Sequence, residues 1–377
     1  MIEILEKQNC CGCAACVQVC PVRCISFEED REGFRYPLAD AGRCIGCNLC
    51  EAVCPVLHPL EKGAALSAFA AKASDPSLRK ASSSGGIFSL LAGKVIRSGG
   101  VVFGARFDRE WEVVHDYSET EEGLSAFRGS KYMQSRMETA FRDAKRFLDE
   151  GRSVLFSGTP CQIRGLHGFL RKAYSNLISV DVVCHGVPSP KVWRNYLDAR
   201  FAGKRQQIRS ILFRDKTAGW EHSSFAVDTE NFTLREQAAE NPFMKAFLAD
   251  YILRPSCHAC PAKSCACGSD ITLGDFWGIR TVHPSFYDGD GVSAVLLRTR
   301  KGKDLFAELP VDKVVSDEGA IRSGNPALCV SSARPADRDQ FWQDYLRSGR
   351  KCLSVLQRAT RRPLKERIIR NLKKLLR

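Results

Sequence analysis

No apolar run in this sequence approaches the roughly 20 residues that a helix needs to cross a bilayer, so no spanning segment is expected. No apolar leader is expected either. The chain opens MIEILEKQNCCGC, with charges and cysteines where the hydrophobic region of a secretory signal would stand. Disorder has no compositional support, because 44% hydrophobic and 26% charged residues is the balance of an ordinary globular protein. A nucleic-acid partner is not expected either, since no recognisable binding module is present. What the chain has in abundance is cysteine, 18 in 377 residues. Without a leader, that many thiols imply a reducing compartment in which they stay available to metal, and the expected location is cytoplasmic.

Eight of these cysteines form two runs of identical spacing. Cys10, Cys13, Cys16 and Cys20 precede Pro21, and Cys44, Cys47, Cys50 and Cys54 precede Pro55. Written C-x2-C-x2-C-x3-C-P twice, this is the signature of two iron-sulfur clusters. Thiols so close along the chain cannot pair as disulfides without severe strain, whereas each loop can wrap three sulfurs around one cubane. In ferredoxins of this spacing the fourth cysteine serves the other cluster. The expected 4Fe-4S sets are therefore Cys10, Cys13, Cys16 and Cys54, and Cys44, Cys47, Cys50 and Cys20. A pair of four-cysteine zinc sites is the competing reading. Cys11 and Cys24 fall outside the pattern and read as buried fillers near the clusters, Cys11 being also a substitute for Cys10.

Beyond His58, Pro59 and Gly63 the pattern changes to alternating strand and helix. LSAFAAKA, GVVFGARF, SVLFSG and LISVDVVC read as strands. GGIFSLLAGKVIRSG, Met137 to Glu150, a segment ending near Leu170, and KVWRNYLDARF behind Pro190 read as helices. In such α/β layouts ligands bind at the carboxyl edge of the sheet. Three segments there look chemical. Ser82 to Gly86 offers glycines and a helix N-terminus to an anion, or else an ordinary serine cap. Gly129 to Ser135 places Lys131 and Tyr132 among small polar residues. Cys161 and Cys184 each lie in a strand-to-helix turn, and with Cys257 and Cys260 they compose a candidate third cluster. A local zinc knuckle of Cys257, Cys260, Cys265 and Cys267 is the alternative, as is no ligation at all. Cys329 and Cys352 read as filler.

The formal charge of +13 is concentrated near the C-terminus, in RRPLKERIIRNLKKLLR. There Leu364, Ile368, Ile369, Leu372, Leu375 and Leu376 share one helical face, with Lys365, Arg370, Lys373, Lys374 and Arg377 mostly elsewhere. Such a helix packs on the body, docks to an acidic partner, or lies on an anionic membrane, which would put the protein at the inner membrane face. Its lack of aromatic residues again disfavours nucleic acid.

The ordered series SSSGGIFS, GSKYMQS, GTPCQIRGL, CHGVPSP, RPSCHAC and DITLGDFWG behind the doubled cysteine run resembles the coenzyme F420 hydrogenase/dehydrogenase beta subunit family, over about residues 1 to 310. The resemblance implies an α+β ferredoxin-like two-cluster domain followed by an α/β flavin-binding domain with a mixed sheet. The corresponding boundaries are 1–60 for the first, 65–145 and 146–325 for the two parts of the second, and 326–377 for a helical basic tail. It also implies FAD, with Ser84, Gly85 and Gly86 against the nucleotide, Lys131, Tyr132 and Gln134 nearby, and Thr159, Pro160 and Gln162 along the isoalloxazine. Cys161, Cys184, Cys257 and Cys260 would hold the family's own cluster. Cys265 and Cys267 stand where the family does not usually need cysteine and are alternative ligands. Asp275 and Trp277 would shape the site or belong to the core.

The activity implied is that of an iron-sulfur flavoprotein oxidoreductase. Electrons from ferredoxin or a similar redox protein would pass through the clusters to FAD, which links one-electron and two-electron chemistry, and on to an acceptor, in a setting such as surface-polysaccharide metabolism. Two alternatives stand beside it: an enzyme reducing coenzyme F420 or oxidising its reduced form, and a non-catalytic electron-transfer subunit serving a partner catalytic chain. A homo-oligomer is compatible with each. His185 is the one candidate proton donor at the flavin, or else a hydrogen-bond support beside Cys184.

Overall fold

The computed structural model describes residues 1–360 apart from 62, 202, 203 and 265. Cys265 and the basic segment 361–377 therefore lie outside the described residues.

Each cysteine run bends into a loop by the same backbone device. Gly12 and Ala14 in the first run, and Gly46 and Asn48 in the second, all have positive φ, and each pair leads into a short helix, Ala15–Val19 or Leu49–Ala52. Left-handed residues this close together turn the chain sharply, which a continued helix or strand cannot do. The antiparallel strands Ile25–Glu29 and Arg35–Ala39 join the two loops.

The body is built on one eight-stranded sheet. Its order is Val311–Ser316, Ser67–Ala73, Ser293–Leu297, Ile271–Asp275, Leu177–Val182, Val154–Gly158, Val101–Phe107 and Val113–Ser118. The run from Ile271–Asp275 to Val101–Phe107 is parallel and the outer pairs are antiparallel, so the sheet is mixed. Side chains alternate between its faces. Phe103 and Phe156 point to one helix layer with Phe141, Phe147 and Leu166, while Val102 and Leu155 point to the other with Leu91, Val95 and Phe306. Both faces are covered, which is why these strands read as nearly continuous apolar runs.

A second, three-stranded antiparallel sheet, Ile208–Asp215, Ser224–Thr229 and Thr233–Gln237, packs with helices Pro190–Phe201 and Pro242–Leu248 around an aromatic core. The sequence expectation of a tail from residue 326 meets a different structure. Phe341, Trp342 and Tyr345, spaced along one face of the helix Arg338–Arg347, enter that core beside Trp193 and Tyr196, followed by Val355 and Leu356 of Cys352–Ala359. Apolar and aromatic residues at helical spacing pack inward, so the segment up to residue 360 belongs to the body.

The cysteine-rich unit is pressed onto the body along the helix Pro160–Leu170. A Cβ on Gly165 would meet Cys13 Cβ at 2.8 Å, and one on Gly168 would meet the Val53 carbonyl oxygen at 2.5 Å. Gln18 accepts from the Phe141 N–H at 2.9 Å, covering the start of the helix Ala140–Asp149, and Glu32 forms a buried ion pair with Arg338 at 2.6 Å. Gly168→Val is expected to cost about 1–3 kcal/mol through overpacking, seen as a lower urea midpoint with an unchanged slope. A midpoint equal to that of the wild type would show that the helix does not carry the contact.

Candidate metal and redox centre

Two small, partly open hollows lie in the N-terminal unit. Cys10, Cys13, Cys16 and Cys54 line one, with Cys11 beside them; Cys20, Cys44, Cys47 and Cys50 line the other, with Cys24. Each thus takes three thiols from one run and the fourth from the other. Among the described residues no three histidine, cysteine or carboxylate side chains converge as one ion would require. A tetrahedral zinc would draw its sulfurs to about 2.3 Å. Thiols that surround a cavity instead suit a multi-iron cluster, so the donor set and its spread fit 4Fe-4S. Cys24 touches this arrangement from outside, its N–H pointing to Cys20 Sγ at 3.4 Å.

A third group of thiols forms where the body meets this unit. Cys161 sits in the first turn of Pro160–Leu170, Cys184 follows the strand Leu177–Val182, and Cys257 and Cys260 come from the 3-10 turn Pro255–Ala259 and its end. The fold brings these four within electrostatic reach of one another. Burial and neighbouring sulfurs push the Cys184 thiol well up, and burial pushes Cys257 up to about 12. Thiols held protonated in this way become ligands when a metal draws off their protons. Val187 N–H points to Cys257 Sγ at 3.4 Å, and Lys263 Nζ donates to the Cys184 carbonyl at 2.6 Å. Cys267 stands apart, buried against Ser269 at 3.5 Å in a polar group with Asp181. Cys329 meets Arg322, and Cys352 is buried near the Asn195 carbonyl.

Cys11 is the thiol whose placement spacing did not reveal. It packs in one buried cluster with Cys13 and Cys161 and interacts electrostatically with both, so it lies between the first loop and the third group. Arg254, three residues before Cys257, reaches the same junction. Gln134 lies there too, donating to the Cys11 carbonyl at 3.1 Å and accepting from Arg254 at 2.9 Å.

The residues expected around a flavin divide into two kinds. Some have their polar groups engaged within the chain. Gly85 N–H donates to Ser293 Oγ at 3.0 Å, and a Cβ there would meet the Ala71 carbonyl at 2.4 Å, so glycine is required by the neighbouring strands. Gly86, φ +86°, opens the helix Ile87–Arg97, and Ser84 Oγ donates to the Val292 carbonyl. Gln162 closes a capping box with Thr159 ahead of Pro160 and donates to Ser135 Oγ at 2.7 Å. Asp275 pairs with Arg214 and accepts from Trp220 at 2.9 Å, while Trp277 stacks on Trp220 at 4.7 Å. His185 Nε2 lies 2.6 Å from Asp250 Oδ1, and its ring meets Phe247 edge-on.

Lys131 is of the other kind, a partly buried amine: among the described residues its Nζ donates to the Arg128 and Gly129 carbonyls, and burial lowers it to about 7. Lys216, which no motif pointed to, donates to the Arg79, Ser84 and Asp290 carbonyls and is lowered to about 8, mainly by burial. Both flank the Ser82–Gly86 turn, where Ser130 N–H donates to Ser83 Oγ. Tyr132 stacks on Phe247 at 5.0 Å close by. Two partly buried amines that form no ion pair among the described residues can meet an anion beside this turn.

Residues 9–57 match the model of the 4Fe-4S dicluster domain. Residues 68–142 and 151–319 match the models of the N-terminal and C-terminal parts of the coenzyme F420 hydrogenase/dehydrogenase beta subunit. None of the curated proteins matches. Among solved structures, a chain of the F420-reducing NiFe hydrogenase complex from Methanosarcina barkeri is similar at 17% identity and TM-score 0.49, over 79% of this chain and 92% of that one.

Burial of Lys131 has a readable consequence. Its folded value lies below the ordinary 10.5, so between about pH 7 and 10.5 the unfolded chain holds a proton that the folded chain has lost, and stability rises with pH. Lys131→Met is expected to remove about 2–3 kcal/mol of that rise between pH 7.5 and 9.5, measured as the difference in urea midpoints. Parallel pH profiles for variant and wild type would contradict it.

Proposed function

Because this chain belongs to the coenzyme F420 hydrogenase/dehydrogenase beta subunit family, we propose that it is the electron-transfer subunit of a larger oxidoreductase, linking a one-electron carrier of the ferredoxin type to a two-electron acceptor of the flavin or deazaflavin class. It is an iron-sulfur electron-transfer protein. The observation that carries the finer reading is the contact between successive thiol groups, Cys47 exposed at one end and Cys11 touching Cys161 at the other.

Clusters bound in these groups supply one-electron transfer. The chain's own residues determine where it can occur. The left-handed turns at Gly12 and Gly46 hold three thiols of each loop to one cavity, and Gly165 lets the first loop lie against the helix that carries Cys161. Val187 N–H and Lys263 meet the charge of the third group. In this reading Tyr132, Lys131, Lys216, Ser83 and Ser130 would hold FAD, the two amines meeting its phosphates, and FAD would supply the exchange between one-electron and two-electron chemistry. The family favours coenzyme F420 as the two-electron partner. The same membership favours a catalytic partner chain, since the family is described as a beta subunit.

Anaerobic isolation is expected to give about twelve irons per chain, four for each of three clusters, and one FAD. Cys184→Ser is expected to lower the iron to about eight while the signals of the N-terminal clusters persist. Zinc in place of iron, or an iron content indifferent to Cys184→Ser, would overturn the reading. Reoxidation of the reduced protein by coenzyme F420 alone marks an enzyme, whereas reoxidation only after a partner chain is added marks the relay.

A further inference from the structure

Arg254 is 1% exposed and has no carboxylate partner among the described residues. Other deeply placed arginines differ: Arg338 pairs with Glu32, Arg214 with Asp275, and Arg79 with Asp288. The Arg254 guanidinium instead donates to the Cys10 carbonyl at 2.7 Å, the Arg35 carbonyl at 3.0 Å and Gln134 Oε1 at 2.9 Å, with Nη2 3.5 Å from Cys10 Sγ. It lies over the Tyr36 ring at 4.3 Å and the Phe34 ring at 5.5 Å. Besides the Tyr36 phenol, the ionisable groups within reach of its charge are sulfurs: Cys10, Cys11, Cys257 and Cys161. The first loop is pressed onto it, for a Cβ on Gly12, at φ +71°, would meet Arg254 Cζ at 2.8 Å. A lone buried cation costs several kcal/mol unless an anion answers it. Here the answering groups are ligands from two different thiol groups.

We propose that Arg254 sets the reduction potentials at this junction, as a fixed cation shared by the cluster on Cys10, Cys13, Cys16 and Cys54 and the one on Cys161, Cys184, Cys257 and Cys260. The proposal rests on the reading that both groups hold clusters. A cation and a hydrogen-bond donor at the sulfur favour the more negative, reduced form, so each raises the potential. The outer group of Cys20, Cys44, Cys47 and Cys50 has no such contact with Arg254. Arg254 therefore favours inward transfer, in which one electron, supplied by a reduced one-electron carrier, would be lost at the outer group and gained at the junction, with no bond made and no proton moved. Gln134 is a positioning residue, holding Nη1 while its own amide is fixed by Cys11.

The test uses the full chain, isolated anaerobically, with Arg254→Gln and Arg254→Lys compared with wild type by iron content and by dithionite titration followed by electron paramagnetic resonance. Cys184→Ser identifies the inner signal and Cys47→Ser the outer one. Arg254→Gln is expected to retain iron and to lower both junction potentials by at least tenfold in the reduction equilibrium, 59 mV for one electron, with a smaller change at the outer cluster. Arg254→Lys is expected to recover most of that shift. Unchanged junction potentials in iron-replete Arg254→Gln would overturn the proposal, as would equal shifts in the two variants. If Arg254→Gln loses iron while Arg254→Lys keeps it, the cation itself is required and the proposal stands; if both lose it, the role is one of shape and the proposal falls. Wild-type protein without cluster signals would overturn the proposed function itself, a result distinct from any difference between variants.

Discussion

A metal centre held by thiolates carries negative charge, and negative charge inside a protein is costly unless cations or donor groups meet it. This constraint explains the junction of the two parts of the chain. The outer thiol group has Cys47 at the surface, where water screens it. The groups around Cys10 and Cys161 are more enclosed, and there the chain contributes Arg254, Lys263 and the Val187 N–H. Arg164, near Cys13 and Cys54, adds a further cation on the body side. The cysteine-rich unit and the body are thus electrostatic complements as well as packed surfaces.

The packing that brings them together depends on small residues. Gly165 and Gly168 on one helix leave room for Cys13 and for the Val53 carbonyl, and Gly12 leaves room for a guanidinium. Larger side chains at these positions would separate the thiol groups, and one-electron transfer falls steeply with separation. The mixed sheet fixes the other end. Its parallel strands deliver Cys161 and Cys184 at their carboxyl ends, at the edge where open α/β sheets take ligands. Lys131 and Lys216 gather near that sheet from segments far apart in the chain, one just after Ser130 and the other just after the strand Ile208–Asp215.

Much of this was legible before the fold was known. The apolar runs at Val101, Val154 and Leu177 read as strands because both faces of the sheet are covered, and Pro190 marked a helix start that the structure places at that residue. Other parts were silent. The strands Ser224–Thr229 and Thr233–Gln237 are short and half polar, and the helix around Trp342 looked like part of a tail because its partners lie about 150 residues earlier. Glycine in the Ser82–Gly86 turn suggested room for a ligand, whereas Gly85 is needed by the strands beside it. The resemblance puts Gln134 and Gln162 beside a flavin, and only the fold shows that the Gln134 amide also meets Cys11 and Arg254 and the Gln162 amide a helix cap.

The doubled spacing of Cys10 to Cys54 determined by itself that two clusters share one small unit, because ligands a few residues apart can only wrap a local metal centre. Spacing also put Cys257 and Cys260 together. It could not tell that Cys161 and Cys184 join them, that Cys267 stands apart, or that Cys11 touches Cys161, since those are relations between segments tens to hundreds of residues apart. Arg254 marks the limit most clearly. In sequence it is one arginine among many before a proline, and only tertiary structure, by burying it without a carboxylate against two sets of sulfurs, turns it into a charge that matters.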